Sequence, residues 1–324
     1  MQPLPGLGLA AAPRMPAVPA RTHSVTVAAV QTPLRLYSDE AQFRAQMAGA
    51  VAEAMRHAPD LIVFPEDVGT GLISLGIPGA ERLAGIPELA AALALRGGQR
   101  VAMQMAAGPL STTRILLLAG ADRMRAAYTG VFSELARAHS VHIVAGSILL
   151  PHEGARDGAV HNTSFLFAPD GRVLGQVDKV SLIPLEAADG LDVVPGDPRQ
   201  VRPWVTAAGT FGPLICLDAW DAQLAASLVD QGAQMLIVPS ANPEPWTPEE
   251  LAERKRGMFA RVRELGVPGV EAFAVGSLAG VAFEGRSWIL APNAAALEGV
   301  RILAQADSPT EAQVIAATVE LPAR

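Results

Sequence analysis

The feature that most constrains this chain is a set of short apolar runs that leave no face for water. Leu61 to Phe64, Val141 to Ile148 and Met235 to Pro239 carry apolar residues on both faces. A strand with one side in water would alternate polar and apolar positions instead. Further strands are expected over Val25–Val30, His161–Ala168, Arg172–Lys179 and Leu214–Cys216. More follow near Val270–Leu278, Ser287–Ala291, Val300–Ala304 and Val314–Leu321. Helical signals separate them. Ser38 is expected to cap a helix with Asp39 and Glu40 in its first turn, running to about His57 with Pro59 beyond. Leu117, Ala121, Met124, Tyr128, Val131, Phe132 and Leu135 recur mostly at spacings of three and four, the pattern of a helix facing a core. Helices are also expected over Ala219–Gln231 and Pro248–Leu265, the latter with proline in its first turn. Fully covered strands between helices mean an α/β chain whose sheet is sandwiched by helices.

Residues 1–22 break this pattern. They are rich in proline and alanine, and Pro3, Pro5, Pro13, Pro16 and Pro19 interrupt any apolar stretch a signal peptide would need. A disordered tail is expected there, followed by one domain over residues 23–324. Half of the 324 residues are apolar and 18% are charged, enough apolar side chain for a large core. The net charge of −7 argues against a nucleic-acid binder. No run of about 20 apolar residues exists to span a membrane. A single cysteine cannot close an internal disulfide, which fits a reducing, cytoplasmic setting, and it excludes zinc sites built from several cysteines.

Scarcity gives some residues weight. The only cysteine, Cys216, follows Pro213-Leu214-Ile215 and precedes a helical stretch. A thiol at a strand-to-helix junction sits near backbone N–H groups that stabilise a thiolate or an oxyanion. A buried structural thiol is the plainer reading of that position taken alone. A nucleophilic thiol needs a base. The histidines occupy the tail border, helix ends, strand starts and a loop, whereas Glu66 follows the buried strand Leu61–Phe64 and Pro65. Carboxylates just past the ends of such strands are where α/β sheets place ligand-binding groups. Basic charge is carried almost wholly by arginine, and the only lysines are Lys179 and Lys255. Lys179 closes the stretch Val173–Asp178, with Glu186 downstream. A lysine retained under such a bias marks a position where a compact ammonium suits better than a planar guanidinium; an ordinary strand-end lysine is the alternative.

Taken together and in order, Phe64-Pro65-Glu66, Asp178-Lys179-Val180-Ser181-Leu182 and Leu214-Ile215-Cys216-Leu217-Asp218 resemble the three motifs of the nitrilase superfamily of carbon–nitrogen hydrolases. The resemblance runs over about residues 24–300. It extends to Ile143-Val144-Ala145-Gly146-Ser147, Asn162-Thr163, Pro169-Asp170-Gly171, Pro239-Ser240-Ala241-Asn242 and Gly285-Arg286-Ser287. It implies a four-layer αββα sandwich and a Glu–Lys–Cys site: Glu66 as general base, Cys216 as nucleophile, Lys179 and the backbone N–H of Leu217 as oxyanion donors. Glu186 resembles a further family glutamate that orients the lysine or the substrate. Asn242 and Trp246 lie in a loop where the family places substrate-facing residues; loop packing is their other reading. The implied reaction is hydrolysis of a small linear carboxamide or carbamoyl compound, releasing ammonia or an amine. No metal and no organic cofactor are implied, and a homodimer or larger homo-oligomer is. The alternatives are a nitrile hydrolase, which the family tends to mark with Cys-Trp-Glu where this chain has Cys216-Leu217-Asp218, and a non-catalytic binding or regulatory member. Arg261-Val262-Arg263-Glu264-Leu265 departs from the family's Arg-Ala-x-Glu-Asn, Asn293-Ala294 replaces an Asp-Gly turn, and the stretch from about 85 to 125 is long for the family.

Overall fold

A computed structural model describes residues 23–107, 110–155, 157–296 and 298–323. The tail expected over residues 1–22 lies outside them. In chain order the strands are β1 (His23–Leu34), β2 (Leu61–Val63), β3 (His142–Leu150), β4 (His161–Phe167), β5 (Val173–Asp178), β6 (Trp204–Val205) and β7 (Thr210–Pro213), then β8 (Met235–Ser240), β9 (Gly269–Leu278), β10 (Val281–Phe283), β11 (Trp288–Pro292), β12 (Val300–Gln305) and β13 (Gln313–Leu321). The α-helices are α1 (Glu40–Ala54), α2 (Ile86–Ala107), α3 (Thr112–His139), α4 (Ala222–Asp230), α5 (Pro248–Arg254) and α6 (Ala260–Leu265).

Strand β1 is the seam of the fold. Its residues Val27–Ala29 pair in parallel with β2, and Thr32–Leu34 pair in parallel with β9. One sheet therefore runs β5-β4-β3-β2-β1, closed by antiparallel β13, and the other runs β9-β8-β7-β6 with β11 and β12 beyond β9. This double use makes β1 longer than its apolar run Val25–Val30 predicts.

Side-chain parity explains why the runs are apolar on both faces. Ala28, Val30, Ile62, Phe64, Ile143 and Ala145 pack in a core with α1 and α3. Their strand neighbours Val27, Ala29, Leu61, Val63 and Val144 pack in a second core with residues of the other sheet. Because successive side chains of a strand point to opposite faces, one strand fills both cores. Helices α4 and α6 cover the far sheet through Leu224, Leu228 and Val262. The result is the four-layer αββα sandwich, an α/β architecture. On the helical side, Phe132 of α3 meets Phe43, Phe64, Tyr128 and Phe167 at ring-centroid distances of 5.9, 5.1, 5.0 and 6.1 Å. Aromatic pairs of this kind contribute about 0.5–1.5 kcal/mol each beyond area burial.

Three local expectations are corrected. Asp39, not Ser38, caps α1: its carboxylate accepts the Gln42 N–H at 2.9 Å, while the Ser38 hydroxyl donates to Glu81 at 2.6 Å. The strand before Cys216 ends at Pro213, and a 3-10 turn, Cys216–Trp220, precedes α4, which Asp221 caps. The helix expected over Pro248–Leu265 breaks at Gly257, whose ψ is −110°. The Trp220 ring packs so close to Gly257 that a Cβ there would lie 2.7 Å from it, so the turn widens where the two meet.

One glycine fixes the approach to Glu66. Gly146 has φ +70°, and a Cβ on it would come within 1.9 Å of the Pro65 carbonyl oxygen. Gly146→Ala is expected to destabilise the fold by at least about 1 kcal/mol from backbone conformation, with the overlap adding to it. A urea midpoint that does not move would contradict this close packing of β3 on the Pro65-Glu66 turn.

Candidate active site

Three sequence-distant residues meet in the space between the sheets. Glu66 leaves the end of β2, Lys179 the end of β5, and Glu186 lies in the following loop. Lys179 Nζ donates to Glu66 Oε1 at 2.7 Å and to Glu186 Oε2 at 2.6 Å, and all three side chains are at most 5% exposed. Asn162 of β4 clasps both carboxylates: its Nδ2 donates to Glu66 Oε1 and to Glu186 Oε1, each at 2.9 Å. The Ile183 N–H also holds Glu186 Oε2, at 3.0 Å.

Cys216 joins this group through the backbone of Ala241. The Ala241 N–H donates to Glu66 Oε2 at 2.8 Å, and the thiol of Cys216 lies 3.8 Å from the Ala241 carbonyl oxygen. Cys216 has φ +46°, in the left-handed region that side-chain-bearing residues rarely occupy. Asp218 holds that bend. Its buried carboxylate accepts the N–H of Ile215 at 3.1 Å, of Ser181 at 2.7 Å and of Val180 at 3.1 Å. It therefore ties the Cys216 turn to the segment just past Lys179. Arg254 approaches the thiol from the other sheet's helical layer, with Nη1 3.8 Å from Sγ, Nη2 bonded to Asn242 Oδ1 at 2.7 Å and its guanidinium 5.1 Å from the Trp220 ring centroid. Deeper still, Glu271 accepts Ser240 Oγ at 2.7 Å and Trp288 Nε1 at 2.8 Å.

Burial and charge compete at each group. Burial pushes the Cys216 thiol up to about 12, Glu66 adds to it, and Lys179 and Arg254 oppose it. Burial raises Glu66 above the ordinary carboxylate range against the pull of Lys179, with Glu186 adding to the rise. Burial works against the Lys179 charge, but Glu66, the Cys216 thiolate form and Glu186 outweigh it and hold the ammonium well above its usual range. Asp218 is pushed up to about 7 by burial despite its backbone donors.

A cavity of about 100 Å³ opens onto this group. Glu66, Asp67, Lys179 and Glu186 form its polar end, Ala241 one wall, and Leu89, Leu117, Leu278 and Phe283 are among its apolar lining. Cys216 is not among the lining residues; it lies behind Ala241, whose carbonyl oxygen its thiol faces. Asn242 holds Arg254, and so stands one residue from the thiol, and it also bonds the Glu244 backbone; the Trp246 ring packs 5.6 Å from Phe273 and 5.8 Å from Trp288. The Leu217 N–H lies in the 3-10 turn next to Cys216. Lys255 pairs with Glu298 at 2.9 Å on the surface.

Asn162, Asp218, Arg254 and Glu271 are the members that sequence reasoning assigned no role. An asparagine inside the buried strand His161–Phe167 and an acid next to the only cysteine are visible signals. Arg254 carried none, since Glu250 four residues earlier makes it read as a surface helix pair.

The chain matches the model of the carbon–nitrogen hydrolase family, described as "Carbon-nitrogen hydrolase", over residues 26–323. It belongs to that family. A human omega-amidase NIT2 is 30% identical over 153 residues, which are 44% of this chain and 52% of that protein. A deaminated glutathione amidase of Synechocystis sp. is 30% identical over 179 residues, 52% of this chain and 58% of that protein. The chain thus spans about half the length of the curated relatives it matches. Among solved structures, a carbon–nitrogen hydrolase from Helicobacter pylori G27 aligns with a TM-score of 0.63 at 19% identity, over 92% of this chain and 89% of that one. Saccharomyces cerevisiae Nit3, of the nitrilase superfamily, aligns at 0.62 and 20% identity over 92% and 90%. An amidase variant from Nesterenkonia sp. AN1 in complex with acrylamide aligns at 0.61 and 19% identity over 95% and 93%. The structural likeness is one of fold, and the two named relatives are themselves amidases.

Asp67 gives the site a pH signature. Burial pushes its carboxyl up to about 7, with Glu66 and Glu186 adding to it and Thr70 opposing. An unfolded aspartate ionises near 3.9. Between roughly pH 4 and 7 the unfolded chain has therefore lost a proton that the folded protein keeps, so this group's contribution falls as pH rises through that window and is level outside it. Asp67→Asn should flatten that part of the stability–pH curve. Parallel curves for the two proteins between pH 4 and 7, from denaturant unfolding, would contradict the assignment.

Proposed function

We propose that the protein is an amidase-type hydrolase that cleaves the non-peptide C–N bond of a small linear amide or carbamoyl compound through a thioester on Cys216. The observation that carries this reading is residue Ala241, whose carbonyl faces the thiol and whose own N–H, in the preceding peptide group, holds Glu66. It puts a carboxylate of raised proton affinity next to the chain's only thiol, with an ammonium bonded to that same carboxylate.

The resting thiol is neutral, so its proton leaves during attack rather than before it. Glu66 takes that proton as sulfur bonds to the substrate carbonyl carbon. The carbonyl becomes an oxyanion, met by the Lys179 ammonium and the Leu217 N–H. Glu66 then returns the proton to the leaving nitrogen as the C–N bond breaks, and ammonia or an amine departs. Water, deprotonated by Glu66, attacks the thioester; the acid leaves and the thiol recovers its proton. Glu186 and Asn162 hold Lys179 and Glu66 in register. Arg254 favours negative charge on sulfur.

The cavity supports a substrate with an uncharged tail. Its polar end carries three carboxyl groups and one ammonium, no arginine is among its described lining residues, and the remainder is largely apolar. An anionic tail would be repelled there, and a short aliphatic one would be buried. The acrylamide bound by the Nesterenkonia amidase variant is a small neutral amide of this kind.

Ammonia release from a panel of aliphatic amides, ω-carboxylated amides, carbamoyl compounds and nitriles tests the proposal. Turnover is expected with aliphatic amides above their carboxylated counterparts. Cys216→Ala should abolish it with the fold intact, and Lys179→Arg should lower kcat by about 10²–10³, because a planar fork places its charge differently. Turnover retained by Cys216→Ala would overturn the nucleophile assignment, exclusive turnover of nitriles would overturn the amide reading, and binding of panel compounds without any product would make this a non-catalytic member.

A further inference from the structure

Strands β4 and β5 are two-faced. Leu166 and Val177 lie in the core between the sheets, on the same side as Asn162 and Lys179 by strand alternation. The residues one step away, His161, Thr163 and Asp178, therefore belong to the opposite face, where Phe165 packs in the helical core. There His152, from the loop after β3, comes down on them. His152 Nε2 lies 2.6 Å from Asp178 Oδ2, and the His152 and His161 rings stack at 4.4 Å with 14° between their planes. One ligand atom from each of His152, His161 and Asp178 lies within 4.8 Å of the other two.

Two hydrogen bonds orient these groups. His161 Nδ1 faces the Val194 carbonyl at 2.9 Å. A carbonyl only accepts, so Nδ1 carries the hydrogen and Nε2 keeps its lone pair. Asp178 is divided in the same way: Thr163, its cross-strand partner, donates to Oδ1 at 2.7 Å, which leaves Oδ2 for a second ligand. Imidazole and carboxylate ligands fixed by outer bonds to a carbonyl and a hydroxyl are the arrangement that metal centres use to set ligand direction.

We propose that His152, His161 and Asp178 form a binding site for a divalent transition-metal ion of the zinc type, on the outer face of the strand pair that carries Asn162 and Lys179. Two imidazoles and one carboxylate suit Zn²⁺ and its neighbours rather than Mg²⁺ or Ca²⁺, which require more oxygen ligands. With three protein ligands, water completes a tetrahedron. Ligands of tetrahedral zinc lie about 3.3 Å apart, so the ion enters once the short His152–Asp178 contact opens by less than an ångström and the His152 ring turns out of its stack with His161, which brings both in-plane lone pairs to the ion. His152 is the movable member, its side chain 43% exposed at the mouth of the site. The ion would tie the loop after β3 to both strands. It lies apart from the Glu66–Lys179–Cys216 group and takes no part in the proposed hydrolysis.

Titration of the metal-free protein with Zn²⁺ against a chromophoric chelator, and with Co²⁺ by visible absorption, tests the site. Both use a Cys216→Ala background, so that the thiol cannot contribute. One equivalent of metal is expected, with the strong d–d bands of tetrahedral Co²⁺. His152→Ala and His161→Gln should each weaken binding by about tenfold or more. His152 stands in an exposed loop, so its variant reports on the site even where His161→Gln perturbs the strand; circular dichroism checks each fold. No tight equivalent in the parent protein, or an affinity unchanged by His152→Ala, would overturn the proposal and leave only a His152–Asp178 hydrogen bond.

Discussion

Everything at the candidate site depends on one buried ammonium. Lys179 is 1% exposed and stands between two carboxylates at the closed end of the cavity. Moving such a group out of water costs several kcal/mol, and removing one partner of a buried pair typically costs about 3–5 kcal/mol. The fold meets this by arranging donors around the carboxylates as well as around the ammonium. Asn162 serves both acids, Ile183 holds Glu186, and Ala241 holds Glu66. A lysine in this position cannot be exchanged for the arginine that supplies nearly all other positive charge in the chain. The Ala241 backbone that closes the network with its N–H also faces Cys216 with its carbonyl, so one residue links the buried charges to the thiol.

The strand pleat carries this arrangement through the molecule. Because alternate residues of β1, β2 and β3 fill different cores, the residues that follow those strands emerge at one end of the space between the sheets. Glu66 arrives there from β2, Asn162 and Lys179 from β4 and β5, and Ala241 from β8. A one-residue slip in any of these strands would exchange its two faces. On β4 and β5 it would swap Asn162 and Lys179 with His161 and Asp178. The distinctness of the proposed hydrolytic group and the imidazole–carboxylate cluster is thus a matter of register, which the apolar pattern of each strand holds.

The layers were largely legible in the sequence, since strands covered on both faces and an amphipathic stretch such as Leu117–Leu135 each admit few arrangements. The order of the three motifs likewise pointed to Glu66, Lys179 and Cys216. What escaped were features settled by long-range contact. Ser38 and Asp39 are both good caps, and Glu81, far along the chain, claims the Ser38 hydroxyl. Gly257 looks tolerable inside a helix until Trp220 presses on it. Arg254 pairs with Glu250 as a surface helix residue would, yet its other nitrogens reach Asn242 and Cys216. Local pattern determines which face a residue occupies; which of several polar neighbours it bonds is decided by partners that no local window contains.

The balance of charge sets how the proposed chemistry runs. Glu66, Asp67 and Glu186 face one Lys179 at the polar end of the cavity, and burial raises both Glu66 and Cys216. Negative charge is therefore already in excess, and a free thiolate there would add to it. A proton that moves from thiol to Glu66 only as the carbonyl is attacked never creates that surplus: the new charge appears on the substrate oxygen, within reach of Lys179, while Glu66 becomes neutral. The same excess disfavours an anionic substrate at the cavity's polar end, and once Glu66 holds a proton the ammonium is shared only between Glu186 and the oxyanion. Burial that would disable an isolated cysteine thus suits one whose base and oxyanion donor are hydrogen-bonded to each other.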